Sequence, residues 1–140
     1  MSRLSTLIAT GALAGCLVLG GCGATDKSGA AEQDKYAGLD EAIRGWHASI
    51  KSTDDHCKAK PDGKGCQGFE VACKGEREIA PAEQAKGVSA KVVVAMSWEG
   101  WDAVRSEYRA SSGFAEFNKV DGAWTRSDAG PVNLATCVAA

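Results

Sequence analysis

Residues 88–98, VSAKVVVAMSW, form the clearest strand pattern in this chain of 140 residues. Three consecutive β-branched residues, Val92 to Val94, lie at its centre, and apolar side chains continue the run as far as Trp98. Such residues are enriched in strands because they pack well on a pleated surface. The segment therefore predicts a β-strand, around which the rest of the domain can be placed.

An amphipathic helix is predicted ahead of this strand, over residues 36–52. Its apolar side chains recur at i, i+4, i+7, i+8 and i+11, which is the spacing of one helical face. They are Leu39, Ile43, Trp46, His47 and Ile50. Polar side chains occupy the other faces, and a polar run that starts at Thr53 ends the pattern.

A β-hairpin is predicted after the strand. Its arms are residues 114–120 and 123–126, and they flank the dipeptide Asp121-Gly122. This dipeptide suits a type I′ turn, in which both central residues have positive φ. Residues 132–138 are predicted to form a last strand, which carries Cys137.

Three further segments have weaker patterns. Residues 69–73 are apolar but favour neither helix nor strand. Residues 81–86 predict one or two helical turns, because proline stands first and a glycine follows. Trp101, Val104 and Tyr108 have the i, i+3, i+7 spacing of a helix, although the same residues could also lie on a strand.

Together these elements predict an α+β fold. One long N-terminal amphipathic helix packs on a small antiparallel sheet of three to five strands, and disulfides staple the domain. The domain is assigned to residues 36–140. Residues 22–35 are rich in glycine, alanine and polar side chains, so they are predicted to form a flexible tether.

The first 22 residues carry the parts of an export signal in the required order. One positive charge, at Arg3, precedes an apolar run over 4–19, and Gly20-Gly21 leads to Cys22. This stretch resembles the signal of bacterial lipoproteins, whose cysteine receives a diacylglyceryl thioether before the chain is cleaved ahead of it. The resemblance implies a signal peptide over residues 1–21 and a lipid-bearing Cys22.

Two alternatives remain open at this end of the chain. Residues 4–22 approach the length of a membrane-spanning helix, but their glycines and the lack of a basic cluster after them favour a signal. Cys16 ends a second matching box, LAGC. Processing at Cys22 is preferred because it exposes no apolar residues on the tether and leaves an even number of cysteines.

The lipoprotein resemblance also implies a location. Stable anchoring takes two or more acyl chains, and the class carries three. Gly23, rather than aspartate, follows Cys22, which resembles the default outer-membrane case. The sequence therefore predicts a protein of the bacterial envelope that is anchored to the outer membrane by lipid and faces the periplasm.

Four cysteines remain after lipidation: Cys57, Cys66, Cys73 and Cys137. Export places them in an oxidising compartment, where three pairings are possible. Cys57–Cys66 is favoured because it spans the Pro-Asp-Gly turn at 61–63, which leaves Cys73–Cys137. Cys57–Cys73 with Cys66–Cys137 is the nearest alternative. The absence of a C-x-x-C spacing argues against a zinc or redox site.

Composition and motifs exclude several function classes. The net charge is −2 and the sequence has no basic cluster, which argues against nucleic-acid binding. No hydrolase or metalloprotease motif is present. His47 lies on the apolar stripe and is interpreted as a core or rim histidine, and His56 is predicted to lie on a solvated loop. We therefore predict no catalytic residue, cofactor or metal ligand, and a chain that is not an enzyme.

An aromatic cluster is the one hint of a recognition surface. Its members, within 27 residues of one another, are Trp98, Trp101, Tyr108 and Trp124. Such side chains stack on sugars or anchor partner proteins, although they also fill small cores. We therefore predict a binding or structural domain whose partners are the membrane, through the anchor, and another envelope protein or a cell-wall glycan.

Two alternative functions follow from particular residues. Small size, the tether and a cysteine near the C-terminus, Cys137 in NLATC, resemble the lysozyme inhibitors of bacterial envelopes. The predicted helix argues against the all-β fold that this resemblance implies. The other alternative is a small hydrolase or a ligand-carrying α+β cone that uses His47, and a deep cavity beside His47 would favour it.

Overall fold

The computed structural model describes residues 35–58, 62 and 65–140. Its elements, in chain order, are α1 (Leu39–Thr53), α2 (Asp55–Lys58), β1 (Gln67–Glu76), α3 (Pro81–Gln84), β2 (Val88–Asp102), β3 (Glu107–Val120) and β4 (Ala123–Asp128). The predicted signal peptide, Cys22, its alternative Cys16 and the tether as far as residue 34 lie outside the described residues.

The strands form one antiparallel sheet in the order β1-β2-β3-β4. The β2–β3 hairpin is the longest strand pairing of the sheet and runs from Val88↔Val120 to Asp102↔Glu107. The predicted small antiparallel sheet is confirmed, with four strands. The predicted apolar segment lies in β2, and β1 covers only part of its length, from Glu99 to Val92.

The apolar run of β2 is continuous because both faces of the sheet are covered at this strand. Side chains alternate along a strand, so Val92, Val94 and Met96 point to one face and Val93 and Ala95 to the other. The first three join a core with the buried stripe of α1. The other two join a smaller core beneath the C-terminal segment, residues 129–140. We call the face under α1 the helix face and the other the second face.

Helix α1 buries four of the five residues in the predicted stripe, namely Leu39, Ile43, Trp46 and Ile50. The prediction started the helix at residue 36, whereas α1 begins at Leu39. The difference arises at Gly38, whose φ of 85° is left-handed and does not belong to a helix. Trp124 fixes this entry, because its Nε1 donates to the Ala37 carbonyl at 2.9 Å.

The C-terminal segment is not the strand that was predicted over 132–138. It makes one isolated bridge, Val132↔Ala139, and turns between these two residues. Asn133 holds the turn, because its carbonyl accepts the Cys137 N–H at 2.8 Å and its Oδ1 accepts the Ala135 N–H at 2.9 Å. The chain therefore crosses part of the second face as an irregular layer.

The helix favoured around Trp101, Val104 and Tyr108 is also wrong, and the strand alternative is right. Trp101 is the second-last residue of β2, Tyr108 is the second residue of β3, and the two are directly paired. The turn between the strands is fixed by Asp102, whose Oδ1 accepts the N–H groups of Val104 and Arg105 at 3.0 and 3.1 Å. This Asx turn reverses the chain where helical spacing predicted continuation.

The remaining local predictions have clear outcomes. Residues 69–73, left undecided, belong to β1. The helical turns predicted over 81–86 are present as α3, with Pro81 in the first turn. The predicted hairpin is confirmed, since Asp121 and Gly122 have φ of 50° and 83°, the two positive values that a type I′ turn requires.

We predict that Gly75→Ala destabilises the domain by about 1–3 kcal/mol, because the added methyl overpacks a close contact. A Cβ at Gly75 would lie 2.7 Å from Cβ of Cys137. Gly130→Ala is the matched control, since no atom lies within 4 Å of the corresponding Cβ. Urea denaturation of the two variants measures the difference. Equal urea midpoints for the two variants would show that the C-terminal segment shifts to accommodate the methyl group without loss of stability.

Candidate functional site

The two disulfides are Cys57–Cys66 and Cys73–Cys137, the pairs that the sequence favoured. The first joins α2 to the residue before β1. The second joins β1 to the C-terminal segment, where the Arg77 guanidinium also donates to the Cys137 carbonyl at 2.7 Å. The two bridges therefore tie α2 and the C-terminal segment to the sheet, at the start of β1 and within it.

The predicted aromatic cluster does not form one surface. Trp98 is 6% exposed on the helix face, where its ring stacks on Phe69 at 5.6 Å between centroids. Trp98 pairs with Ser111 of β3, and Trp124 pairs with Lys119 of β3. Ser111 and Lys119 are eight residues apart, which separates the two tryptophans by about 26 Å along the strand at 3.3 Å per residue. The sheet register brings only Trp101 and Tyr108 together.

Trp101 and Tyr108 form a rigid pair near the end of the β2–β3 hairpin. Their ring centroids are 5.3 Å apart in an edge-to-face arrangement, which is a favourable geometry for aromatic side chains. The Tyr108 hydroxyl donates to the Gly65 carbonyl at 3.3 Å, and the Trp101 carbonyl lies 3.2 Å from Nδ1 of His56. Both side chains are half-buried, so each ring keeps part of its surface in contact with solvent.

The second face is open between this pair and the C-terminal segment. We call this region the open groove, a cleft of about 320 Å³. Its eight lining residues include Gly68, Ser97, Glu99, Ala110, Ser112 and Leu134. The strand register supplies its floor, because Ser97 pairs with Ser112 and Glu99 with Ala110. The next pair along the same face is Trp101 with Tyr108.

The open groove carries several hydrogen-bonding groups. The exposed Glu99 carboxylate accepts a hydrogen bond from Nε2 of Gln67 at 2.8 Å, which orients both planar groups. The two serine hydroxyls can each donate and accept. Leu134, 42% exposed, forms an apolar wall. None of the eight described residues that line the groove carries a positive charge.

Asp102 stabilises the turn of the hairpin beside the groove. The hydrogen bond from the Arg105 guanidinium, at 2.7 Å, and those from the backbone hold the pKa of the Asp102 carboxyl below its usual value. It is therefore ionised at neutral pH and keeps its backbone contacts. The turn presents Val104, 92% exposed, at the end of the sheet.

A second cleft, of about 400 Å³, lies between the start of α1 and β1. Its charged side chains are paired with one another. Lys74 donates to Asp40 at 2.5 Å, and Lys35 is hydrogen-bonded to Glu76. The bond from Lys35, followed by that from Tyr36, lowers the pKa of the Glu76 carboxyl. These contacts hold the chain where it enters the domain.

The two histidines have different surroundings. The His47 ring is half-buried, with its centroid 4.2 Å from that of Phe69, and no described group hydrogen-bonds to its Nε2. The cleft beside it measures about 140 Å³, which is smaller than the roughly 300–1,000 Å³ typical of ligand pockets. His56 is exposed, as predicted, but it lies in the short helix α2 rather than on a loop.

Asp54, Cys57 and Cys66 are close enough to be considered as metal ligands, with their ligand atoms within 4.8 Å of one another. The sulfur atoms are bonded to each other, so they are not available as thiolates. The Asp54 carboxylate instead accepts the backbone N–H of His56 at 2.8 Å and of Cys57 at 3.2 Å. This cluster is therefore the cap of α2.

Comparison with protein-family models, curated proteins and solved structures found no match to this chain. Across residues 35–58, 62 and 65–140, no helix has the length and apolar character needed to cross a membrane.

Sequence reasoning did not single out the floor of the open groove. Ser97, Glu99, Ala110 and Ser112 belong to no motif, and they become neighbours only through the β2–β3 register. The pattern that could have identified them is the alternation of side chains along residues 107–112. Once Trp101 and Tyr108 are placed opposite each other on paired strands, this alternation puts the small side chains of Ala110 and Ser112 on the same face as Tyr108.

Proposed function

We propose that this chain is a lipid-anchored envelope protein, held at the outer membrane through Cys22, whose domain binds another envelope component at the open groove. The domain is not an enzyme under this proposal. The observation that supports it most strongly is the position of the groove and the Trp101–Tyr108 pair, which lie at the end of the sheet opposite the point where the tether enters.

Contacts of Lys35 and Ala37 fix the point at which the chain enters the folded domain. The Lys119 ammonium donates to the Lys35 carbonyl at 3.1 Å, and Trp124 donates to the Ala37 carbonyl. Lys119 pairs with Ala90, eleven residues before Trp101 on β2, or about 36 Å at 3.3 Å per residue. A lipid on Cys22 would therefore attach the domain at its entry end and leave the aromatic pair at the opposite end of the sheet, clear of the attachment point.

The groups in the groove support binding rather than catalysis. A nucleophilic serine needs a base within hydrogen-bond reach. Strand alternation places Ser97 and Ser112 on the second face, whereas His56 approaches Gly100 on the helix face, where a Cβ at Gly100 would lie 2.8 Å from Cβ of His56. Glu99 shares the face of the serines, but its carboxylate accepts a hydrogen bond from Gln67, and it is the single carboxylate among the described lining residues, so these residues do not supply an acid–base pair.

Site-specific photo-crosslinking in living cells tests this proposal. A photoreactive amino acid at Ala110, in the groove, is expected to give several-fold more adduct with envelope material than the same amino acid at Arg109. Both residues are exposed on one hairpin, but Arg109 pairs with Gly100 and points to the helix face. Ser112→Leu, which fills the floor, should remove the Ala110 adduct. Equal adduct at both positions would contradict the proposal.

A further inference from the structure

The geometry points to a ligand class for the open groove: we infer that it binds a saccharide chain that carries no net negative charge. This inference rests on the proposed function, because it names the ligand of the same site. It follows from the shape of the floor, the chemistry of the lining and the sign of the charge.

The floor is flat because its side chains are small. Ser97, Ser112 and Ala110 project little from the sheet, whereas the next pair towards the C-terminal segment, Ala95 with Phe114, joins the core of the second face. The volume of about 320 Å³ lies at the small end of the range for ligand sites. A flat trench of this size suits one or two sugar rings laid along the hairpin.

The lining matches a polyol. Sugar hydroxyl groups both donate and accept, so they can pair with the serine hydroxyls and the oriented Glu99–Gln67 groups. The apolar C–H face of a pyranose packs on aromatic rings, and Trp101 with Tyr108 lies directly beyond the polar floor. Because the Tyr108 hydroxyl is held by Gly65, its ring is already oriented before a ligand binds.

The charge favours a neutral or amino-bearing sugar over an anion. Glu99 is the single charged group among the described residues that line the groove, and the Asp102 carboxylate in the adjacent turn is paired with Arg105. At these lining residues a phosphate or uronate would meet a carboxylate and no cation. An extended peptide would bind elsewhere. It adds to a sheet through unpaired backbone at an edge, which here is the outer edge of β3 before Ala115, where β4 does not pair, whereas the β2 and β3 backbones at the floor are paired with each other.

The test uses the full lipidated chain in detergent with three probes: β-1,4-linked hexasaccharides of glucose, of N-acetylglucosamine and of galacturonate. Calorimetric titration should detect binding of at least one of the first two and none of the third. Glu99→Gln should weaken binding about tenfold, as loss of a hydrogen bond to a charged group does. Glu107→Gln, exposed on the opposite face of the same hairpin, should leave it unchanged.

Trp101→Ala should also weaken binding, and a thermal melt of this variant separates loss of the site from loss of the fold. Ser112→Leu gives an independent test, because it fills the trench without removing an aromatic ring. Binding of galacturonate, or of none of the probes, would overturn the saccharide inference. If no probe binds but Ala110 still cross-links to a protein, the proposed function stands; if Ala110 gives no specific adduct either, both are wrong.

Discussion

Replacing Cys73 and Cys137 together by alanine is expected to lower the free energy of unfolding by about 4 kcal/mol. The bridge joins residues 64 apart in sequence, and a loop of that length loses much of its freedom in the unfolded chain. The same chain-entropy relation gives about 3 kcal/mol for Cys57–Cys66, whose residues are nine apart. The two double variants therefore form a matched pair.

Lost packing adds to the destabilisation expected for the Cys73/Cys137 variant. Cys137 is 1% exposed, and it contacts the second-face core with Val93 and Ala95. Without the disulfide, the C-terminal segment keeps its backbone bridge, its turn, the Arg77 contact, the hydrogen bond from Ala129 to the Phe114 carbonyl and the packing of Val132. We expect hydrogen exchange of the Val93 and Phe114 region to rise more in this variant than in the Cys57/Cys66 variant.

Urea denaturation, followed by tryptophan fluorescence, measures both free energies on the full chain. The Cys73/Cys137 variant should unfold at the lower urea concentration of the two. An equal loss, or a larger loss for Cys57/Cys66, would contradict the view that the long loop and the C-terminal segment dominate. If both variants lose less than about 1 kcal/mol of unfolding free energy, the helix-face core rather than the disulfides supplies most of the stability.

The parts of the fold that could be predicted are those set by local pattern. The stripe from Leu39 to Ile50 repeats at helical spacing, and this periodicity alone identifies the face that packs on the sheet. Asp121-Gly122 encodes its own turn, because the dipeptide tolerates two successive positive φ values. Neither inference needs a contact between residues far apart in sequence.

The segment from Trp101 to Tyr108 shows why other parts were mispredicted. Residues seven apart lie on one face of a helix, but they are also directly opposite in a hairpin with a four-residue turn. The deciding contact is the Asp102 carboxylate on two backbone N–H groups, which spacing does not encode. Residues 132–138 are similar, since their apolar pattern does not specify a pairing partner.

The candidate site depends on register and was therefore beyond sequence reasoning. Ser97 and Ser112 are fifteen residues apart and meet only because β2 and β3 pair without a shift over this stretch. Burial of Trp98 depends on the same register, which places it on the helix face while Trp101 lies on the other. Four aromatics that are close in sequence are thus divided between the core, the entry end and the hairpin.

Replacing Cys22 by serine is expected to abolish incorporation of labelled palmitate into the full chain. Serine has no thiol to form the thioether, so no acyl chain can be attached at this position. Each buried methylene of an acyl chain contributes about 0.8 kcal/mol to membrane binding, and two or more chains are needed for stable anchoring. Loss of the thiol should therefore remove the anchor completely.

Cys16→Ser is the matched control, because it changes the competing box and leaves Cys22 intact. It should keep its label, and globomycin should convert it, like the wild type, into a heavier precursor that retains the signal. Label that survives Cys22→Ser but not Cys16→Ser would assign processing to Cys16. The tether would then be six residues longer, and the extra residues include Leu17, Val18 and Leu19. Label in neither wild type nor control would remove the membrane from the proposed function.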